Sequence, residues 1–296
     1  RYENILLDTI YKDTQSNLNG FLDVTITEND SLNRELFYKI DETNQKSLIN
    51  PFYMEILALS AIVVYNNQNK NLTAIFAGIS DFKHENNVYI NEKIIGEIFH
   101  ISSKKGFIKC GGSLKANDTV LCSGKLNAFF VDISQEQSES TPSSVLINEE
   151  ISLKYNKENK NKSPNMIICD EMISYNDTSF TAKYTYPKTH PLVKGHFPNN
   201  PIMMGVMQWL SIEDCLCHYL EILNVSGNHI YSCNVSIYNQ DKIKIADIKS
   251  ISLESWINID TIINQTKIKT TSKIVFRNMV KPADTLFILA SDIQKR

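Results

Sequence analysis

The residues best suited to chemistry lie close together in the second half of the chain. His196 stands in a proline-rich turn, and Gly205 opens an apolar run nine residues later. A glycine lets a ligand approach the backbone closely, and the helix start beside it offers unpaired N–H groups and the positive end of the helix dipole. Such N–H groups can polarise a carbonyl oxygen while an imidazole transfers a proton. The pattern predicts a site for proton transfer next to a carbonyl group.

The run GHFPNNPIMMG at residues 195–205 closely resembles the signature of the hotdog-fold 3-hydroxyacyl-[acyl carrier protein] dehydratases of the FabA/FabZ type, which read roughly GHFPxxPxMPG. Met204 replaces the last proline of that signature. Residues 164–173 and 180–186 resemble the strands that precede it in the family. The resemblance implies an α+β hotdog fold, in which an antiparallel sheet wraps a long central helix. It also implies dehydration of 3-hydroxyacyl thioesters to trans-2-enoyl thioesters.

The resemblance also implies roles for individual residues. The family's base is the histidine of the signature, here His196, and its acid is a carboxylate fourteen residues further on, in the helix of the partner subunit. That position is Leu210 in this chain, so the second half has the base and lacks the acid. Glu213 and Asp214, one turn further along, are expected to be solvated and therefore weak substitutes. The substrate-binding residues implied by the signature are Gly205, whose N–H would hold the thioester carbonyl, with Val206, Phe197 and Pro201.

The missing acid is predicted in the first half. Asn50 suits a helix N-cap and Pro51 the first helical position, and the apolar run over 51–65 predicts a buried helix. If Asn50 is aligned with Gly205, Glu55 falls on Leu210. Glu55 is the only charge in this run, so burial should raise its pKa, as an acid catalyst near neutral pH requires.

Two other interpretations of Glu55 remain open. Aligning Pro51 with Pro201 places Ser60 at the acid position and leaves no acid in either half. Alternatively, a glutamate near a helix start simply interacts favourably with the helix dipole. We favour the first alignment because the helix-start signals coincide. His196 and Glu55 would then complete one site between the two halves, and the mirror-image site would be inactive.

The order of predicted elements indicates two similar halves. After a predicted strand over 35–40 and the helix over 51–65, four strands are predicted over 73–81, 93–102, 106–115 and 119–133. Residues 134–163 are polar and predict a linker. A second set begins at 164, with a helix over about 206–223. We interpret this as a tandem hotdog with domains 1–133 and 164–296, which resembles the dehydratase domains of polyketide and polyunsaturated fatty-acid synthases.

The part that follows the second helix departs from the first half. Residues 224–270 are long and irregular, and 273–286 resemble the middle strands of the family. About two strands are then missing. Either residues 224–270 supply them or the chain is truncated, and the sequence favours truncation.

Composition limits the environment and the partners of the chain. The net charge of -3 leaves no general basic surface for nucleic acid, and the apolar runs are too short to span a bilayer. No signal peptide is visible, and the start at Arg1 predicts a fragment. The cysteines form no CxxC pair; a metal site at Cys215, Cys217 and His218 is conceivable, but core thiols in a reducing, cytoplasmic compartment fit better.

The resemblance implies no metal and no nucleotide cofactor. The substrate would arrive on the phosphopantetheine of an acyl carrier protein or on coenzyme A. Two alternative functions remain: a hotdog thioesterase, which would use the same helix start with an acid that activates water, and a non-catalytic hotdog that binds acyl chains or scaffolds a synthase. The substitution of Leu210 and Met204 for family residues motivates the second alternative.

Overall fold

The computed structural model describes most of the chain. The signature residues His196 and Phe197 lie outside the described part, which comprises residues 6–16, 19–32, 34–65, 73–131, 141–158, 160–193, 201–258 and 264–296. It contains two α-helices, α1 (Pro51–Tyr65) and α2 (Gly205–Ile222). The strands of the first half are β1 (Thr9–Lys12), β2 (Gly20–Thr25), β3 (Tyr38–Ile40), β4 (Lys46–Leu48), β5 (Thr73–His84), β6 (Lys93–Lys104), β7 (Phe107–Ala116) and β8 (Thr119–Val131). Those of the second half are β9 (Leu153–Lys154), β10 (Glu171–Asn176), β11 (Ser179–Thr185), β12 (Gly227–Asn239), β13 (Lys244–Ile257), β14 (Gln265–Phe276) and β15 (Thr285–Lys295).

Thirteen of the described strands form one antiparallel sheet that runs through both halves. Its order is β1-β2-β6-β7-β8-β5-β14-β13-β12-β15-β11-β10-β9. The halves meet where β5 pairs with β14, with Ile79 opposite Ile274. We call this junction the seam. The predicted helix over 51–65 and the four strands after it are confirmed, the strand ends to within a few residues.

Helix α1 lies against the sheet of its own half through one face. A Cβ added to Gly112 of β7 would lie 2.8 Å from Leu57, and one added to Gly124 of β8 would lie 2.9 Å from the Met54 sulfur. The strands therefore need glycine at these places to admit the helix. With about 100° between successive helical residues, Glu55 lies on the opposite face, away from this sheet.

The predicted strand over 35–40 is wrong over its first half and confirmed over 38–40. A 3-10 helix occupies Arg34–Phe37, and only Tyr38–Ile40 is extended. The guanidinium of Arg34 binds the Asp30 carboxylate at 2.8 Å and the Asp8 carboxylate at 2.6 Å. These paired charges hold the chain in a turn, which outweighs the strand propensity of the aromatic residues.

The irregular structure predicted for 224–270 is also wrong. This region forms β12, β13 and the first part of β14, while 273–286 spans the end of β14, a turn and the start of β15. Residues 224–270 therefore supply the strands that were expected to be missing. The truncation hypothesis rested on those missing strands and loses its basis. Ser250 has a φ of 49°, and the β12–β13 register shifts nearby, between Cys233 and Val235. Such a bulge breaks the alternation of polar and apolar residues that reveals a strand.

The two halves share their strand neighbours but not their connections. In each half the first strand after the helix pairs with the fourth, and two of the three pairs of consecutive strands form hairpins. The pair of consecutive strands that does not form a hairpin is β5 and β6 in the first half, but β14 and β15 in the second. The strand at the seam is consequently the first after α1 but the third after α2.

The end of the predicted linker packs between the halves. The Lys162 ammonium lies 2.7 Å from the Asp214 carboxylate of α2. The side-chain amide of Asn161 donates to the carbonyl of Ile40 at 3.2 Å and to the side-chain oxygen of Gln265 at 3.0 Å. These contacts tie residues 160–162 to both halves. The boundaries at 133 and 164 stay predictions.

We expect Asn161→Ala to lower the free energy of unfolding by about 1–2 kcal/mol, because it leaves two buried acceptors without their donor. Chemical denaturation at neutral pH measures this. Asn156→Ala is the control, since Asn156 is exposed in the same segment and should change stability by less than about 0.5 kcal/mol. If the two substitutions lowered the free energy of unfolding equally, the buried hydrogen bonds of Asn161 would not contribute to stability as proposed.

All six cysteines are buried and none forms a disulfide, as predicted for core thiols. Within the described ranges, neither helix is long and apolar enough to cross a membrane. The same residues contain no group of three or more side chains arranged to hold a metal ion.

Candidate active site

The start of α2 lies at the seam. The helix begins at Gly205, and Met204 before it is extended. The ring of Phe276 covers Gly205, because a Cβ added there would lie 3.1 Å from two ring carbons. That ring also packs on Phe76 of β5, with centroids 5.5 Å apart. Aromatic side chains from both halves thus meet beside the first turn of α2, an arrangement that no sequence motif indicated.

The segment before α2 is anchored to the second half. The Met203 N–H donates to the carbonyl of Val280 at 2.8 Å. Of the predicted substrate-binding residues in the described part, Val206 is fully buried and Pro201 is half-buried. The helix predicted over 206–223 is confirmed to within one residue at each end.

Glu55 is a buried acid that faces no counter-charge from the described part of the chain. Its side chain is 8% exposed, and among the described residues none forms a hydrogen bond or an ion pair with it. Burial alone raises its pKa from 4.5 to about 7, because the charged form loses hydration that nothing replaces. The burial and raised pKa expected from the sequence are confirmed. Its catalytic role stays a prediction.

Counting from the first helical residues gives an alignment one residue from the predicted one. With Pro51 of α1 on Gly205 of α2, Glu55 falls on Trp209, next to Leu210. Trp209 and Leu210 are both fully buried. The second helix therefore offers no carboxyl at this level, as predicted.

The solvated state predicted for Glu213 and Asp214 is wrong. Glu213 is 1% exposed and Asp214 is 5% exposed. The Glu213 carboxylate accepts from the N–H of Ile268 at 2.9 Å and lies 3.6 Å from the Lys39 ammonium. The Asp214 carboxylate accepts from the N–H of Ile168 at 2.7 Å and pairs with Lys162. Both carboxylates are occupied by structural partners.

Two sets of contacts place Glu55 near the start of α2. The side-chain amide of Asn50 donates to the carbonyl of Ile268 at 2.7 Å, and the N–H of Ile268 donates to Glu213. The start of α1 is therefore level with the middle of α2.

Further along α1, Met54 contacts Gly124, which lies beside Phe82. The Phe82 ring in turn packs edge-on against Trp209 with centroids 4.7 Å apart. The two helices thus run in opposite directions, and Glu55 lies level with the first turns of α2.

Asn50 does not cap α1 as predicted. Its side-chain oxygen has no hydrogen-bond partner among the described residues, while its amide N–H₂ donates to Ile268. A carbonyl can only accept, so the amide nitrogen must face it. Pro51 occupies the first helical position, as predicted.

The predicted base His196 and the predicted substrate-binding residue Phe197 lie outside the described residues. The distance from His196 to Glu55 therefore stays a prediction. His190, six residues before His196, is a turn residue: its Nε2 donates to the Asn165 carbonyl at 2.7 Å and its Nδ1 accepts from the Leu192 N–H at 3.2 Å. Both ring nitrogens are occupied, so this ring has no free position for a proton.

Comparison with known proteins bears on the fold. No family model and no curated protein matches the chain. Among solved structures, the dehydratase domain from the CurK module of the curacin polyketide synthase matches with a TM-score of 0.51, at 10% identity, over 98% of this chain and 97% of that one. An inactive mutant of the CurK dehydratase matches with the same TM-score, identity and coverage.

The fold is a double hotdog. The predicted fold class is thereby confirmed, with α1 and α2 as the central helices of the two hotdogs. At 10% identity the match shows the fold alone. The activity of the chain must therefore be argued from its own residues.

Proposed function

We propose that this double hotdog dehydrates 3-hydroxyacyl thioesters to trans-2-enoyl thioesters in fatty-acid or polyketide synthesis. The observation that carries the proposal is Glu55, a buried carboxyl at the level of the first turns of α2. It has no counter-charge among the residues that the structure describes, and its pKa is about 7. A carboxyl that is half protonated near neutral pH can deliver a proton to a leaving hydroxyl group. The signature around His196 supplies the second part of the argument.

Each reacting bond has a residue assigned to it. His196 removes the C2 proton, and the C2–H electron pair forms the C2–C3 double bond. The C3–O bond breaks as Glu55 protonates the departing hydroxyl, which leaves as water. The N–H of Gly205 stabilises the negative charge on the thioester oxygen during this step. The proton held by His196 then passes to Glu55 through solvent and restores both groups.

The start of α2 suits the thioester end of the substrate. The N–H groups of its first two residues, Gly205 and Val206, have no partners within the helix, and the partly buried rings of Phe76 and Phe276 pack together beside them. A hydrogen bond to a developing oxyanion is stronger in such surroundings than in water. Val206, Pro201 and Phe197 would complete the binding site. The phosphopantetheine of an acyl carrier protein or coenzyme A would carry the acyl group, and the chain would act in the cytoplasm as part of a multidomain synthase.

The direct test incubates the purified chain with a 3-hydroxybutyryl thioester of coenzyme A and of an acyl carrier protein. Dehydration predicts crotonyl thioester without free thiol, measured by mass spectrometry and a thiol reagent. Release of free thiol would replace the proposal by a thioesterase. No reaction with either carrier, despite binding of the thioester, would favour a scaffold.

A further inference from the structure

The backbone of Ile268 joins the two central helices. The ladder between β5 and β14 ends with Thr270 opposite Lys83, so Ile268 lies just beyond it at the seam. Its N–H donates to the carboxylate of Glu213, and its carbonyl accepts from the side-chain amide of Asn50. Ile268 is fully buried. Side chains from both helices thus satisfy backbone groups that the ladder leaves unpaired.

Glu213 is itself held firmly. The hydroxyl of Thr266 donates to its backbone carbonyl, and the buried Lys39 ammonium faces its carboxylate at 3.6 Å. Lys39 belongs to the first hotdog and Thr266 to the second. The connection Glu213–Ile268–Asn50, called the seam bridge below, is therefore fixed from both sides.

The seam bridge ends at the residue that precedes α1. Glu55 lies five residues after Asn50, which is roughly 7.5 Å along a helix axis. Since a helix transmits such a displacement almost rigidly, the bridge fixes how far α1 reaches along α2. We propose that Asn50 and Glu213 are positioning residues that set the place of the Glu55 carboxyl relative to the start of α2. Only the identity of Glu55 as the acid rests on the proposed function.

Asp214 is a matched control within the same helix. Like Glu213, it is buried, accepts from a backbone N–H and faces a buried lysine, Lys162. Its backbone partner, Ile168, precedes β10 in the second hotdog, whereas the carbonyl of Ile268 also accepts from Asn50 beside α1. Loss of Asp214 should therefore destabilise the protein without moving Glu55.

The experiment follows the Glu55 carboxyl by NMR titration of protein labelled with ¹³C at the glutamate carboxyl, with Glu55→Gln identifying the signal. Asn50→Ala is the main variant, because it also removes an unpaired buried acceptor and should fold. We expect its Glu55 pKa to fall towards 4.5, since a displaced helix admits water to the carboxyl. We expect kcat for dehydration to fall about 10- to 100-fold, with KM changed less than about threefold.

A second variant tests whether Glu213 acts through the same bridge. Glu213→Ala, which removes the acceptor of the Ile268 N–H, should also lower the Glu55 pKa, and the double variant with Asn50→Ala should shift it no further than the larger single shift. Asp214→Ala, which removes the acceptor of the Ile168 N–H, should lower the melting temperature and leave the titration unchanged. An unchanged titration in Asn50→Ala, or the same shift in Asp214→Ala, would overturn the proposal. Since the titration needs no substrate, it gives an answer even if the chain does not dehydrate thioesters.

Discussion

Replacing His196 with alanine is expected to lower kcat for dehydration by about 10²- to 10⁴-fold, the contribution typical of a general base. KM should change little, because the imidazole acts on the C2 proton rather than on the carrier. Formation of the enoyl thioester, followed by mass spectrometry, measures the effect. The same reactions should be assayed for free thiol.

His190→Ala is the control for this prediction. His190 lies six residues earlier and uses both ring nitrogens in internal hydrogen bonds. Its loss should cost about 1–3 kcal/mol of stability and leave kcat within a few-fold. If His196→Ala keeps full dehydration activity, the assignment of the base is wrong. If it loses only thiol release, the reaction is hydrolysis.

Glu55→Gln is expected to lower kcat by a similar factor, because an amide cannot donate the proton to the leaving hydroxyl. In the unmodified protein, activity should fall as the pH rises through about 7, where Glu55 loses its proton. The residual activity of the variant should lack this decline. A pH profile of kcat from pH 5 to 9 distinguishes the two.

The same substitution should raise stability at high pH. The folded-state pKa of Glu55, about 7, lies above the 4.5 of an ordinary glutamate, so the folded state binds the extra proton between these values. Stability of the unmodified protein therefore falls as the pH rises from about 4.5 to 7. At about 1.4 kcal/mol per unit, the loss is at most about 3.5 kcal/mol. Glu55→Gln avoids it.

Denaturation at pH 4 and pH 8 tests this. The free energy of unfolding of the variant should equal that of the unmodified protein at pH 4 and exceed it at pH 8. The control is Glu97→Gln, at an exposed strand position, which should change the free energy of unfolding by no more than about 0.5 kcal/mol at either pH. An inactive variant that is more stable cannot owe its inactivity to misfolding. A Glu55→Gln protein less stable at pH 8 would show that the carboxylate has a partner.

Local patterns were enough to predict the central helices and the four strands that follow α1. Both helices are long apolar runs with recognisable starts, and the four strands after α1 alternate clearly between turns rich in Asn, Asp, Lys and Gly. The second hotdog was harder because the bulge at Ser250 interrupts the alternation. The order of strands depends on pairing between residues far apart in the chain, such as Ile79 with Ile274, which periodicity does not reveal.

The site residues also divide into those whose surroundings follow from local sequence and those whose surroundings depend on distant residues. Burial of Glu55 followed from a single charge in an apolar run, which is a local signal. Glu213 and Asp214 carry the same composition signal as exposed helix residues, because the lysines that pair with them, Lys39 and Lys162, lie more than fifty residues earlier. The amide of Asn50 likewise bonds to a residue 218 positions away.

The two hotdogs differ in which consecutive strands do not pair, and this difference decides how their strands correspond. Matching them in chain order pairs β5 with β12, yet the strand that occupies the place of β5 is β14. A simple gene duplication would have preserved the connections, so a rearrangement of segments must separate the two hotdogs if they share an origin. If residues 265–296 followed α2 directly and residues 227–258 came after them, the second hotdog would have the same strand connectivity as the first.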